Sequence, residues 1–192
     1  MRGIEPAQAK GAAELFHLSF GAKLAGFVLL KDRDAAIELL ADSFCLDEIY
    51  GAFDPSGNLV GVAFITGHGP VLCVRREAVR AAFGRFGGAW RYAVYRVTQW
   101  KRRSYPKDSR GLEGFSVSPA LRGQGIGTAM LDRIISDAKA EGARVVDLNV
   151  GDNNPARHLY ERAGFEQVRV SGVGPFAGRL GFSHFVFYEL KL

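Results

Sequence analysis

Arg122-Gly123-Gln124-Gly125-Ile126-Gly127-Thr128 is the segment whose residue types and spacing most directly imply chemistry. The run Gly114 to Val117 before it is apolar enough for a buried strand, Pro119 prevents its continuation, and Thr128-Ala129-Met130-Leu131 begins an amphipathic helix. The glycine turn therefore lies at a helix entrance, where unpaired N–H groups and the positive end of the helix dipole attract anions. Glycines at 123, 125 and 127 leave no Cβ between the backbone and a phosphate. A phosphorylated ligand is expected here.

A second segment follows at a regular distance. The helix is expected to stop at Glu141-Gly142, and Ala143 to Val150 reads as another buried strand. In Asn153-Asn154-Pro155-Ala156-Arg157-His158-Leu159-Tyr160, Pro155 suits a first helical turn capped by Asp152, Asn153 or Asn154, and Gly164 suits its end. Ala156, Leu159, Tyr160 and Ala163 then share one face.

Together, Arg122-x-x-Gly125-x-Gly127 and Asn153-x-x-Ala156-x-x-Leu159-Tyr160-x-x-x-Gly164-Phe165 resemble the two signature motifs of the GNAT superfamily of acetyl-CoA-dependent N-acetyltransferases. The resemblance is close from Gly111 to Phe165. It implies an α/β fold in which a twisted mixed β-sheet is flanked by helices and two central parallel strands splay apart to admit acetyl-CoA. It also implies acetyl transfer to a primary amine by direct attack in a ternary complex. A non-catalytic acyl-CoA sensor or adaptor of the same fold is the alternative, and a longer acyl donor is a second enzymatic one.

The resemblance assigns roles residue by residue. Backbone N–H groups of Phe115 and Val117 would meet the acetyl carbonyl and pantetheine, and Gly123, Gln124, Gly125, Ile126, Gly127 and Thr128 would hold the phosphates, with Arg122 reaching one of them. Tyr160 is the candidate general acid toward the CoA sulfur, because a phenol stays protonated at neutral pH; the other reading is a ring packed in the core. Glu113, on the strand face of Phe115 and Val117, is the candidate general base, ahead of Asp147, His158 and His184. Asn149 would contact pantetheine or bridge the splayed strands, and Asn153 would contact CoA or cap the helix. No metal site is expected.

The elements that must position these groups follow from coarse patterning. Arg2 to Glu5 suits a short first strand, Ala7 to about Leu30 is helix-rich, and Asp32 or Asp34 caps a helix running to about Phe44. Glu48 to Phe53 and Leu59 to Thr66 form a hairpin about Asp54-Pro55-Ser56-Gly57-Asn58. Glu166 to Ser171 and His184 to Leu190 are the last strands, joined by the glycine-rich stretch Gly172 to Gly181. Residues 1–192 read as a single domain, and the terminal strand is expected at an edge that a homodimer could use.

A basic helical insertion at about 71–110, between the third and fourth predicted strands, departs from the family pattern. Its stripe of Val79, Phe83, Phe86, Trp90, Val94 and Val97 suggests a buried helix face. The same stretch carries a balance of +9, against +5 for the whole chain. A solvated face is the plain explanation; an electrostatic funnel for acidic ligands and a nucleic-acid or acidic partner site rank behind it. With the Gly172 to Gly181 loop, the insertion would roof a pocket, which favours a small-molecule amine over a protein acceptor. Nucleic acid is not expected as a partner. Nor is a membrane, since no apolar run is long enough to span one. Cys45 and Cys73 lack metal spacing and are expected as buried reduced thiols in a cytoplasmic protein.

Overall fold

Val60, Val62, Ala63, Phe64 and Ile65 form an almost unbroken apolar run, which suits a strand covered on both faces. The computed structural model describes residues 3–28, 32–67, 72–102, 106 and 108–192. Along the chain it places α1 (Ala9–Val28), α2 (Arg33–Ala41), β1 (Ile49–Phe53), β2 (Leu59–Thr66), α3 (Arg76–Arg102) and β3 (Ser109–Val117). These are followed by α4 (Ile126–Ala140), β4 (Val145–Gly151), α5 (Arg157–Arg162), β5 (Glu166–Gly172), α6 (Ala177–Leu180) and β6 (His184–Lys191).

The strands form one six-stranded sheet in the order β1-β2-β3-β4-β6-β5. Among the described residues, only β3 and β4 run parallel; the other pairs are antiparallel. Alternation along β2 sends Val62 and Phe64 to one face, where they pack with Ala12, Ala13, Ile37, Leu40 and Phe44 of the first two helices and the turn after them. Ala63 and Ile65 point to the other face and share a core with Met130, Leu131 and Ile134 of α4. Each such buried aliphatic side chain contributes about 1.5–3 kcal/mol relative to exposure.

The expected helix starts are largely met. Asp32 caps α2, its carboxylate accepting from the Ala35 N–H at 2.7 Å. Of the predicted first strand, Arg2 lies outside the described residues, as does the helix end near Leu30, and the described part, Gly3 to Glu5, is not in a strand. Gly3 and Ile4 instead donate to the carbonyls of Ile49 and Leu46, and Pro6 then turns the chain into a 3-10 turn. The insertion therefore falls between the second and third strands. The terminal strand is not an edge either, because β6 runs between β4 and β5 and leaves β5 at the border.

Two further expectations are corrected. Cys45 and Cys73 form a disulfide, since the antiparallel bridge of their neighbours Phe44 and Leu72 brings their Cα atoms to 5.4 Å, a proximity that 28 residues of separation conceal. The stripe of the insertion is not one buried face. Gly84, at φ +72°, breaks α3 and turns its second half, so Val79 is buried while Phe86 and Trp90 stand exposed; the side chains of Val94 and Val97 lie outside the described residues.

Candidate functional site

Parallel pairing of β3 with β4 runs from Ser109 opposite Val145 to Leu112 opposite Leu148 and then ends. Beyond it the two strands part. The Ser118 N–H donates to the Val60 carbonyl at 2.8 Å on the β2 side. Alternation along β3 therefore turns the Val117 and Phe115 amides to the opposite edge, where the ladder with β4 has stopped. The Val117 carbonyl on that edge accepts from Arg122 Nε at 3.3 Å.

The gap opens into a cleft of about 880 Å³, within the range of small-molecule and cofactor sites. Its lower end is the turn into α4. Gly123 and Gly125 have φ of +77° and +82°, and a Cβ added to either would project into open space. Among the described residues, no backbone carbonyl accepts from the amides of residues 123–128, since the first bond of α4 is Ala129 N–H to Gly125 O. These are the donors that a helix entrance offers to an anion. A phosphate-bearing ligand the size of CoA fits this combination of free amides, open space and long cleft.

Of the residues expected to act, Glu113, Phe115, Val117, Arg122, Gly123, Gly125, Ile126, Gly127, Thr128, Asn149, Asn153 and Tyr160 all line this one cleft. Gln124 does not; its side chain is exposed outside the lining. Nor do Asp147, His158 and His184. His158 is exposed on α5 and lies 3.5 Å from Glu161. His184 pairs with Asp152 at 3.0 Å, and that bond is the chief cause holding the Asp152 carboxyl below its usual range.

The short helix that carries Tyr160 is fixed by hydrogen bonds around it. Ahead of that helix, Asn154 Oδ1 accepts from the Ala156 N–H at 2.9 Å, a local turn that leads the chain into α5, whose N-cap residue is Ala156. Asn153 does something else: its Nδ2 donates to the Gly181 carbonyl at 2.7 Å, tying the loop before α5 to the loop after α6. Beneath the helix, Arg157 Nε donates to Tyr188 Oη at 2.9 Å, and Tyr188 donates to Glu161 at 2.7 Å. Tyr160 itself is buried, and burial raises its phenol well above the ordinary value of 10. It remains a proton donor throughout the physiological range.

Sequence reasoning missed one wall of the cleft. Leu18, Ser19 and Phe20 of α1 line it opposite α5. Ser19 Oγ lies 2.7 Å from Ser116 Oγ, which donates to the Leu15 carbonyl, and Phe16 stacks on Phe20 at 4.5 Å. The sole local signal was that i, i+4 aromatic pair. Leu180 and Gly181 line the cleft as expected of the late loop, followed by Phe182, but no described residue of the insertion does.

These features define a sheet split at the parallel pair of β3 and β4, with a glycine-lined helix entrance at the mouth of the split. The Acetyltransferase (GNAT) family model matches residues 38–165, and the chain belongs to that family. Over 55 residues it is 47% identical to an uncharacterized N-acetyltransferase of Methanocaldococcus jannaschii, a match covering 28% of this chain and 24% of that protein. It is 33% identical over 63 residues to the [ribosomal protein bS18]-alanine N-acetyltransferase of Haemophilus influenzae, covering 33% and 43% of the two chains. The matched stretches span less than half of these relatives. The fold is similar to a crystal structure of an acetyltransferase, with TM-score 0.62 and 19% identity over 99% of this chain and 97% of that one.

Proposed function

We propose that this chain is a single-domain N-acetyltransferase that uses acetyl-CoA and transfers its acetyl group to a primary amine by direct attack in a ternary complex. The observation that carries this reading is the continuity of one cleft from the free amides before α4, along the unpaired edge of β3, to Tyr160. Bound there, acetyl-CoA would supply an activated thioester. Amides of residues 123–128 would hold its phosphates, and those of Phe115 and Val117 would orient the acetyl carbonyl from a preorganised edge. Glu113 accepts the proton of the amine, and the Tyr160 hydroxyl returns a proton to the departing sulfur. Asn149, exposed on β4 at the other bank, bonds the pantetheine arm.

Neither cysteine lines the cleft, and both are committed to a disulfide, which favours direct attack over an acetyl-enzyme. Apolar side chains of Leu18, Phe20, Leu180 and Phe182 around the cleft favour a small-molecule amine over a protein acceptor.

Calorimetric titration with acetyl-CoA, CoA and a longer acyl-CoA, followed by thiol release against a panel of amines, tests the proposal. Binding with turnover is expected. Binding without turnover on any amine would make the protein an acyl-CoA sensor, and no binding to any of the three would remove the assignment.

A further inference from the structure

The second half of α3 carries its apolar stripe on the wrong side for a core. Its inner side is fixed by three contacts. Tyr95 Oη donates to the Leu72 carbonyl at 2.5 Å, the Arg91 guanidinium lies 4.2 Å over the Phe83 ring, and Gly88 is buried where an added Cβ would come within 2.8 Å of Arg80 Cα. At 3.6 residues per turn, Phe86, Trp90 and Ala93 fall within about 60° of one another on the opposite side. All three are exposed, Phe86 at 94% and Trp90 at 65%. Arg85 and Arg96, also exposed, border this stripe.

An exposed Phe and Trp one turn apart are unusual, because burying either side chain would contribute a few kcal/mol. The charge beside them narrows what could cover them. Residues 71–110 carry +9; within that stretch Arg110 is buried against Glu141 and Arg75 lies by Asp42, while Arg85 and Arg96 stand exposed at the border of the stripe. An aromatic stripe with cations at its border matches the interface of an anionic bilayer, where rings enter the acyl boundary and guanidinium groups meet the phosphates. Single-stranded nucleic acid asks instead for a cationic groove with rings along its floor, whereas this surface is the convex edge of a helix.

We propose that the outer edge of α3 from Arg85 to Arg96 is a docking surface for an anionic phospholipid bilayer, on which the protein lies peripherally. No described helix is long and apolar enough to cross a membrane, so the contact is with one leaflet. This revises the expectation of no membrane partner, which rested only on the lack of a spanning run. The role is independent of acetyl transfer.

The chain's two tryptophans are Trp90 and Trp100, so Trp100→Phe leaves Trp90 as the sole indole reporter. In that variant of the whole 192-residue chain, vesicles of equal parts phosphatidylcholine and phosphatidylglycerol should blue-shift its emission, and brominated acyl chains should quench it. Phosphatidylcholine vesicles alone should do neither. In vesicle sedimentation, Phe86→Ser with Trp90→Ser should lower the partition coefficient at least about tenfold. Arg85→Glu with Arg96→Glu should lower it by a similar factor. Circular dichroism checks that these surface variants fold, and the brominated-lipid measurement needs neither of them. An unchanged Trp90 spectrum with anionic vesicles overturns the proposal. So does a wild-type dimer that the aromatic variant dissociates without any vesicle binding, or retention by a single-stranded oligonucleotide in place of vesicles.

Discussion

The ring of Tyr160 on α5 meets the ring of Phe115 on β3 edge-on, with centroids 6.4 Å apart and planes at 82°. The contact joins the open strand edge to the short helix beyond the split, and Phe165 closes the other side of the tyrosine at 6.0 Å. Tyr160→Phe keeps both ring contacts and removes only the hydroxyl. Turnover should fall about 10²-fold or more while acetyl-CoA affinity and melting temperature change little. Calorimetry and steady-state thiol release separate the two quantities. A parallel loss of affinity would make the phenol a binding group.

The turn before α4 should be sensitive for a reason beyond backbone strain. Gly125→Val places a β-branched residue at φ +82° and a side chain in the space proposed for phosphate. Gly57 in the first hairpin has φ +85° and open surroundings, so Gly57→Val matches the strain without touching the cleft. Both variants should lose about 1–3 kcal/mol in denaturant unfolding. Acetyl-CoA binding should disappear in Gly125→Val alone.

The sequence is most readable where one residue type answers one local need. Gly125 at a helix entrance and the apolar run of β2 each answer one local need, and of the two candidate caps Asp32 and Asp34 the structure uses Asp32. Tertiary proximity was not readable in this way. Ser19 reaches Ser116 across 97 residues, and Cys45 reaches Cys73 through a bridge between their neighbours. The stripe on α3 misled because periodicity specifies a face without saying what lies opposite, and Gly84 rotates that face outward. Asn153 and Asn154 were interchangeable as caps in sequence. Neither caps α5 at its N-cap position, which is Ala156: Asn154 closes the turn before the helix, and Asn153 tethers Gly181.

Glu113 sits where the ladder between β2 and β3 slips, opposite the step from Phe64 to Ile65, and it lines the cleft. If it accepts the amine proton, Glu113→Gln should lower kcat/KM by about 10²-fold while acetyl-CoA affinity changes little. An unchanged kcat/KM would assign the proton to another acceptor, such as a cleft water.

Burial raises the phenols of both Tyr160 and Tyr188 above their ordinary value of 10. Above about pH 10 the unfolded chain therefore releases protons that the folded chain keeps, and stability must fall as pH rises. Below that pH both states hold the proton and the slope vanishes. Denaturant unfolding followed into the alkaline range should show a decline that is shallower in Tyr160→Phe. An identical decline in the variant would mean that Tyr160 ionises as freely in the fold as outside it.

The disulfide gives a stability prediction that leaves the cleft alone. Cys73 donates its N–H to the Ser43 carbonyl, and the Cys45–Cys73 bond fastens the root of the insertion beside α2. Closing a loop of 28 residues restricts the unfolded chain and stabilises the fold by about 2–4 kcal/mol. Cys45→Ser with Cys73→Ser should therefore lower Tm by roughly 5–15 °C, and reduced wild type should melt with the double variant. Acetyl-CoA affinity measured well below Tm should be unchanged, because neither cysteine lines the cleft. Loss of binding with intact secondary structure would instead couple the root of the insertion to the split between β3 and β4. Phe44, next to Cys45, and Phe64 of β2 pack with rings 4.8 Å apart in the core that joins the two regions.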